Sequence, residues 1–240
     1  MKSRPFLRPL LVWAWGGPGL ALATCIAFLL WPFLGGFRAF WTAAPPYIRL
    51  AAWSFGIRRR LEGWEALPEG IRDGSQPAIF VGNHTSLFDP PLLISTLPCR
   101  PVFLAKRELF KVPFLGWVMA LAGFIPIDRA DRAKALDSLH EAALIVRGGR
   151  CLAAFPEGTR STDGALLPFK KGVFILAVDA GVPVVPRAIQ GGLDIVPKGT
   201  WRVAGGPYRI RVGIPLEPGT DPEQLKIASA AAVAGLLAGS

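Results

Sequence analysis

Beyond residue 60 the chain alternates short apolar runs with longer amphipathic ones. "AIFV" (78–81), "PVFLA" (101–105), "FIPI" (124–127), "CLAAF" (151–155), "VPVVP" (182–186) and "YRIRV" (208–212) are short, apolar or β-branched, and bounded by turn residues, as strands are. Segments 90–97, 114–121, 131–146 and 171–179 between them read as helices. In 131–146, Leu136, Leu139, Ala143 and Val146 fall on one face, with Asp131 placed to cap the first turn. The Ala-rich stretch 222–237 predicts a closing helix. Strands alternating with helices predict an α/β domain with a mixed, largely parallel sheet flanked by helices.

The first part of the chain has a different pattern. No charged residue occurs over 10–37, which Lys2, Arg4 and Arg8 precede and Arg38 follows. Gly16, Gly17, Pro18 and Gly19 interrupt it, leaving a run of about 13 residues before Pro32, short for a straight bilayer span. Segment 40–57 is also apolar, contains Pro45, Pro46 and Arg49, and leads into Arg58, Arg59 and Arg60. The expectation is an N-terminal two-helix membrane-associated appendage over 1–58, with Trp13, Trp15, Trp31, Trp41 and Trp53 at the interface, followed by the α/β domain over 59–240. A cleaved signal peptide is the alternative, but no small-x-small site follows Leu30.

Charge changes the picture of the partners. A net charge of +10 requires anionic ones, and the two usual candidates are nucleic acid and the membrane surface. No zinc finger or aromatic-basic repeat is present, so anionic lipid is favoured over nucleic acid. Cys25, Cys99 and Cys151 are far apart and form no C-x-x-C, so neither a disulfide framework nor a metal site is expected. Each is expected to be a buried small apolar residue in a reduced, cytoplasmic setting.

Candidate chemistry starts at "NHTSLFDP", 83–90. Gly82 lets the chain turn after the first strand, and Asp89-Pro90-Pro91 has the form of a helix start. His84 then lies in a strand-to-helix loop, at the strand ends where open α/β sheets hold ligands. Five residues of helix turn through roughly 500°, so only a bent chain brings His84 and Asp89 together. An Asp on one imidazole nitrogen fixes the tautomer and leaves the other as a base. Alternatively, Asp89 only caps its helix and His84 only meets a loop carbonyl. Ser86 lacks a G-x-S-x-G elbow, and His140, in mid-helix at the edge of the apolar face, reads as structural.

Three further strand ends carry cations. "KREL" (106–109) begins with Lys106 and Arg107, "GFIPIDR" (123–129) ends in Arg129, and "FPEGTRS" (155–161) packs Glu157, Gly158, Thr159 and Arg160 into a turn. Each alone is an ordinary surface charge. Together, beside a His-Asp turn, they read as an anion pocket.

These blocks resemble the glycerolipid acyltransferases of the 1-acylglycerol-3-phosphate acyltransferase type. "NHTSLFD" matches their N-H-x-S-x-x-D block, and "GFIPIDR", "FPEGTRS" and "VPVVP" match the three that follow, in order. "LEGWEALP" and "PFKKG" are also similar, and the resemblance covers roughly 61–213. It implies that His84 is a general base partnered by Asp89. It also implies that Arg129, Glu157, Gly158 and Arg160 bind a phosphate-bearing acceptor. The implied reaction moves a fatty acyl group from acyl-CoA or acyl carrier protein to a lysolipid hydroxyl, with no metal or other cofactor. The implied location is the cytoplasmic face of a bacterial inner membrane. Pro126 and Arg187 depart from the family's usual apolar residues, which leaves the acceptor open between lysophosphatidate and lysolipids such as lyso-ornithine lipid. A hydrolase, and a lipid binder without catalysis, are the rival readings.

Overall fold

The computed structural model describes residues 15–128, 131–196 and 203–239. Two helices, α1 (Leu20–Leu34) and α2 (Gly36–Ser54), form a hairpin about Gly35, whose φ of 73° lies in the left-handed region. Counted from the π-helical turn before it, Trp15–Leu34 is long and apolar enough to cross a membrane. Leu22, Leu29 and Phe33 on it are exposed, as is Trp53 on α2. Neither Pro32 nor the Pro45–Pro46 pair ends its helix.

Strand β1 (Ile57–Glu62) follows, then α3 (Glu69–Asp73), β2 (Ile79–Gly82), α4 (Asp89–Thr96), β3 (Val102–Lys106), α5 (Leu115–Leu121) and β4 (Ile125–Ile127). Next come α6 (Arg132–Arg147), β5 (Leu152–Ala154), α7 (Gly172–Ala180), β6 (Val184–Gln190), α8 (Gly192–Ile195), β7 (Gly206–Val212) and α9 (Pro222–Ala238). The seven strands form one sheet in the order β1-β7-β6-β2-β5-β3-β4. Every pairing is parallel except β6 with β7, so the sheet is mixed and largely parallel, as expected.

β2 and β5 are buried at every position, which is why they read as continuous apolar runs and not as alternating ones. Helices cover both faces of such strands. The predicted helices are found within one or two residues, and Asp131 caps α6 by accepting from the Lys134 N–H at 3.2 Å.

Several expectations fail. β1 went unread because its three arginines hide its strand character; Arg59 is turned inward, donating to the Ser95 carbonyl at 2.8 Å and the Ser95 hydroxyl at 3.0 Å. Trp41 is buried against Phe40 and Phe37 in place of reaching an interface, because α2 packs onto α1 and α4. Cys25 is exposed on α1, whereas Cys99 and Cys151 are buried. His140 is exposed on α6.

Gly82 closes β2 at a point of close approach. A Cβ there would stand 2.0 Å from the Arg187 carbonyl oxygen and 2.9 Å from its Cγ. Backbone cannot yield that distance without disturbing the β2–β6 pairing. Gly82→Ala is therefore expected to destabilise the protein by about 1–3 kcal/mol. In thermal unfolding followed by circular dichroism this reads as a melting temperature lower by several degrees; an unchanged one would show that the sheet opens freely here.

Candidate active site

Because β2, β3, β5 and β6 run parallel, their carboxyl ends share one edge of the sheet. The His84 turn leaves that edge from β2. Asn83 locks it in place: its amide donates to the Ile189 carbonyl at 2.9 Å and accepts from the Ile189 N–H at 2.7 Å, continuing the β2–β6 ladder with a side chain. On its other side the turn is tied to 155–161. The Ser161 N–H donates to the His84 carbonyl at 2.8 Å, and the His84 N–H donates to Glu157 Oε2 at 3.3 Å.

The loop folds back as its spacing requires. His84 Nδ1 lies 2.8 Å from Asp89 Oδ2. The same oxygen accepts from the Thr85 and Ser86 N–H groups, each at 2.8 Å, and Oδ1 accepts from the Tyr208 hydroxyl at 3.1 Å. Asp89 therefore does not cap α4. It is the first residue of that helix, Phe88 occupies the cap position, and the fully buried carboxylate points back into the loop. The alternative in which His84 and Asp89 act separately is excluded by this geometry.

With Nδ1–H donating to Asp89, Nε2 carries the free lone pair. The imidazole keeps 17% of its surface accessible and stacks on Phe155 with centroids 4.0 Å apart. Burial lowers the His84 pKa below its ordinary value; the bond and charge of Asp89 pull the other way, while the Arg187 and Arg160 charges add to the lowering. The outcome is a neutral imidazole near pH 7 with one nitrogen available, the state a general base needs. The two hydroxyls of the loop are both buried: Ser86 donates to the Val196 carbonyl at 3.3 Å, and Thr85 Oγ1 has no hydrogen-bond partner among the described residues.

The anion-pocket residues separate into groups. Glu157 is buried and accepts from the backbone of His84 and Leu167, so it braces the His84 turn. Burial above all, with the Asp89 charge, pushes its carboxyl up to about 7. Gly158 and Thr159 continue the same turn, and Arg160, half-buried there, places positive charge near His84. Lys106 ends β3 on the shared edge but is exposed and paired with Glu108 at 3.5 Å. Arg129 lies outside the described residues.

Four contributors had no local signature. Tyr208 sits on β7, 119 residues from the carboxylate it bonds; as a Tyr buried in a strand it needed a hydroxyl partner, which was the available clue. Phe155 read only as a strand end, and Asn83 only as part of a motif. Gly192 opens α8 so close to the site that a Cβ would stand 2.5 Å from the Thr85 hydroxyl and 2.7 Å from Asp89 Oδ1.

Residues 58–190, more than half the chain, match the acyltransferase family model. A chloroplastic 1-acyl-sn-glycerol-3-phosphate acyltransferase of Brassica napus is 37% identical over 157 residues, which is 65% of this chain and 44% of the relative. The human 1-acyl-sn-glycerol-3-phosphate acyltransferase alpha is 39% identical over 160 residues, 66% of this chain and 54% of that one. The chain thus spans about half the length of the curated relatives it matches. Among solved structures, the crystal structure of the 1-acyl-sn-glycerophosphate acyltransferase PlsC from Thermotoga maritima superposes with a TM-score of 0.71 at 29% identity. The match covers 91% of this chain and 93% of that one. The matched region carries the His84–Asp89 turn, the 155–161 turn and the whole of β6, and by it the chain belongs to the acyltransferase family.

Proposed function

We propose that this protein transfers a fatty acyl group from an acyl thioester to the free hydroxyl of 1-acylglycerol-3-phosphate, giving phosphatidic acid. The observation that carries the reading is an imidazole held at Nδ1 by a buried carboxylate, with Nε2 left free by that bond and the Ser86 hydroxyl turned to a backbone carbonyl. His84 Nε2 takes the hydroxyl proton as the lysolipid oxygen attacks the thioester carbonyl carbon. The carbon–sulfur bond then breaks, and the imidazolium returns the proton to the departing thiolate. Asp89 stabilises the imidazolium formed in between. A thioester is already activated, so orientation and one base suffice, and no acyl-enzyme is needed. The donor is acyl-CoA or acyl carrier protein.

Arg160, together with Arg129, is assigned to the acceptor phosphate. Residues 1–58 are assigned to the membrane and 59–240 to catalysis, on the cytoplasmic face of a bacterial inner membrane. The exposed apolar side chains of α1 and Trp53 support this placement, as does the net charge of +10.

Rates measured with one acyl donor and a panel of lysophosphatidate, lyso-ornithine lipid and other lysophospholipids test the acceptor. Lysophosphatidate is expected to be preferred. In Arg160→Lys the charge remains but the two-pronged hydrogen bonding is lost. The Michaelis constant for lysophosphatidate should rise about tenfold, the scale of one charge-assisted bond, while that of the donor moves little. Equal changes for donor and acceptor would remove Arg160 from the acceptor site.

A further inference from the structure

Six of the seven residues of β6 are buried, and one of them is Arg187, with no exposed surface. A guanidinium has five N–H donors and no acceptor, so an apolar side chain would suit such a strand better. Its path is informative. Arg187 pairs with Gly82 across the parallel β2–β6 ladder, and its stem occupies the space a Gly82 side chain would fill. The side chain thereby crosses β2 and reaches β5, where Nη2–H donates to the Ala154 carbonyl at 3.2 Å. The guanidinium carbon lies 4.6 Å from the centroid of the Phe155 ring, the ring that also stacks on His84. Among the described residues, Nε and Nη1 have no hydrogen-bond partner.

We propose that Arg187 is a positioning residue for the base: a buried cation, led across the sheet by Gly82, that holds Phe155 against His84 and keeps the imidazole neutral by opposing its protonation. The proposal deepens the acyltransferase reading and rests on His84 being its base. Among the described residues, three charged side chains act on the imidazole. Asp89 from α4, itself bonded by Tyr208 from β7, favours the protonated ring; Arg160 from the 155–161 turn and Arg187 from β6 oppose it. Glu157 meets His84 only through the backbone N–H. Burial brings the Arg187 guanidinium down to about 10, so it stays charged throughout the range in which histidine titrates.

The chain has two histidines, which makes the test direct. The imidazole carbon-bound proton resonances of the whole protein in micelles are followed against pH by NMR. Loss of one resonance in His140→Gln, an exposed residue away from the site, assigns the other to His84. Arg187→Gln keeps a polar amide in the strand without the charge, and Arg187→Met fills much of the space with neither amide nor charge. Each is expected to raise the His84 midpoint by roughly half to one pH unit, and the acid limb of kcat/KM by the same amount. A packing role alone would lower the rate at every pH and leave the midpoint in place, and that result overturns the proposal. So does a midpoint in the unmodified protein above the ordinary histidine value, a result that depends on neither variant folding. The titration reads His84 without turnover. A raised midpoint in a protein that transfers no acyl group keeps this inference and removes the function; transfer with an unmoved midpoint does the reverse.

Discussion

His84→Ala is expected to lower acyl transfer by about 10²–10⁴-fold while the protein remains folded. The loop contains one imidazole, and Nε2 is the only nitrogen on it left free by the Asp89 bond. Folding should survive, because the turn is held by groups that the substitution leaves in place. The Ser161 N–H still meets the carbonyl of residue 84, the Glu157 carboxylate still accepts its N–H, and the Asn83–Ile189 pair is untouched. Initial rates at saturating donor, alongside the circular dichroism melting curve, separate lost chemistry from lost structure. Rates within tenfold of the unmodified protein would remove His84 as the base.

Asp89→Asn tests a different part of the arrangement. An asparagine can keep its oxygen toward the Thr85 and Ser86 N–H groups and point its amide at the Tyr208 hydroxyl, which rotates to accept. The loop then retains its shape, at a cost of about 1 kcal/mol for one weakened buried bond. What is lost is the negative charge beside Nδ1, and with it the stabilisation of the imidazolium that forms as the lysolipid oxygen attacks. If the amide flips the other way, it donates to Nδ1, the proton moves to Nε2, and the base is disabled outright. Either arrangement should lower kcat by about 10³-fold or more, with a much smaller change in thermal stability. A variant that unfolds would instead mark Asp89 as a structural anchor first.

How much of this could be read in advance depended on whether the causes were local. β2 and β5 are covered on both faces, and their short apolar runs bounded by turns were legible as buried strands. β1 was hidden because IRRRLE looks like a solvated basic run, whereas its Arg59 meets Ser95 near the end of α4, a partner that no sequence window contains. The second apolar segment was legible as a helix despite Pro45 and Pro46, but its packing onto α1 and α4 was not. In the site, the His84–Asp89 spacing allowed the approach of the pair without requiring it, and the resemblance to the acyltransferase blocks implied it. The direction of the carboxylate was not predicted, since an Asp before two prolines looks the same whether it caps forward or reaches back. Tyr208 and Arg187 come from strands far along the chain and were beyond local reasoning: the strand read as 182–186 runs over 184–190, so Arg187 stood out only as a departure from the family's usual apolar residue.

The central claim is direct transfer from a thioester to a lysolipid hydroxyl. The most direct measurement incubates the full-length protein in lipid vesicles with acyl-labelled thioester donor and lysophosphatidate, then identifies by mass spectrometry the molecule that carries the label. The account predicts labelled phosphatidic acid, formed only when lysophosphatidate is present and lost in His84→Ala. Labelled free fatty acid formed equally with and without lysophosphatidate, or label found in neither product, would contradict it.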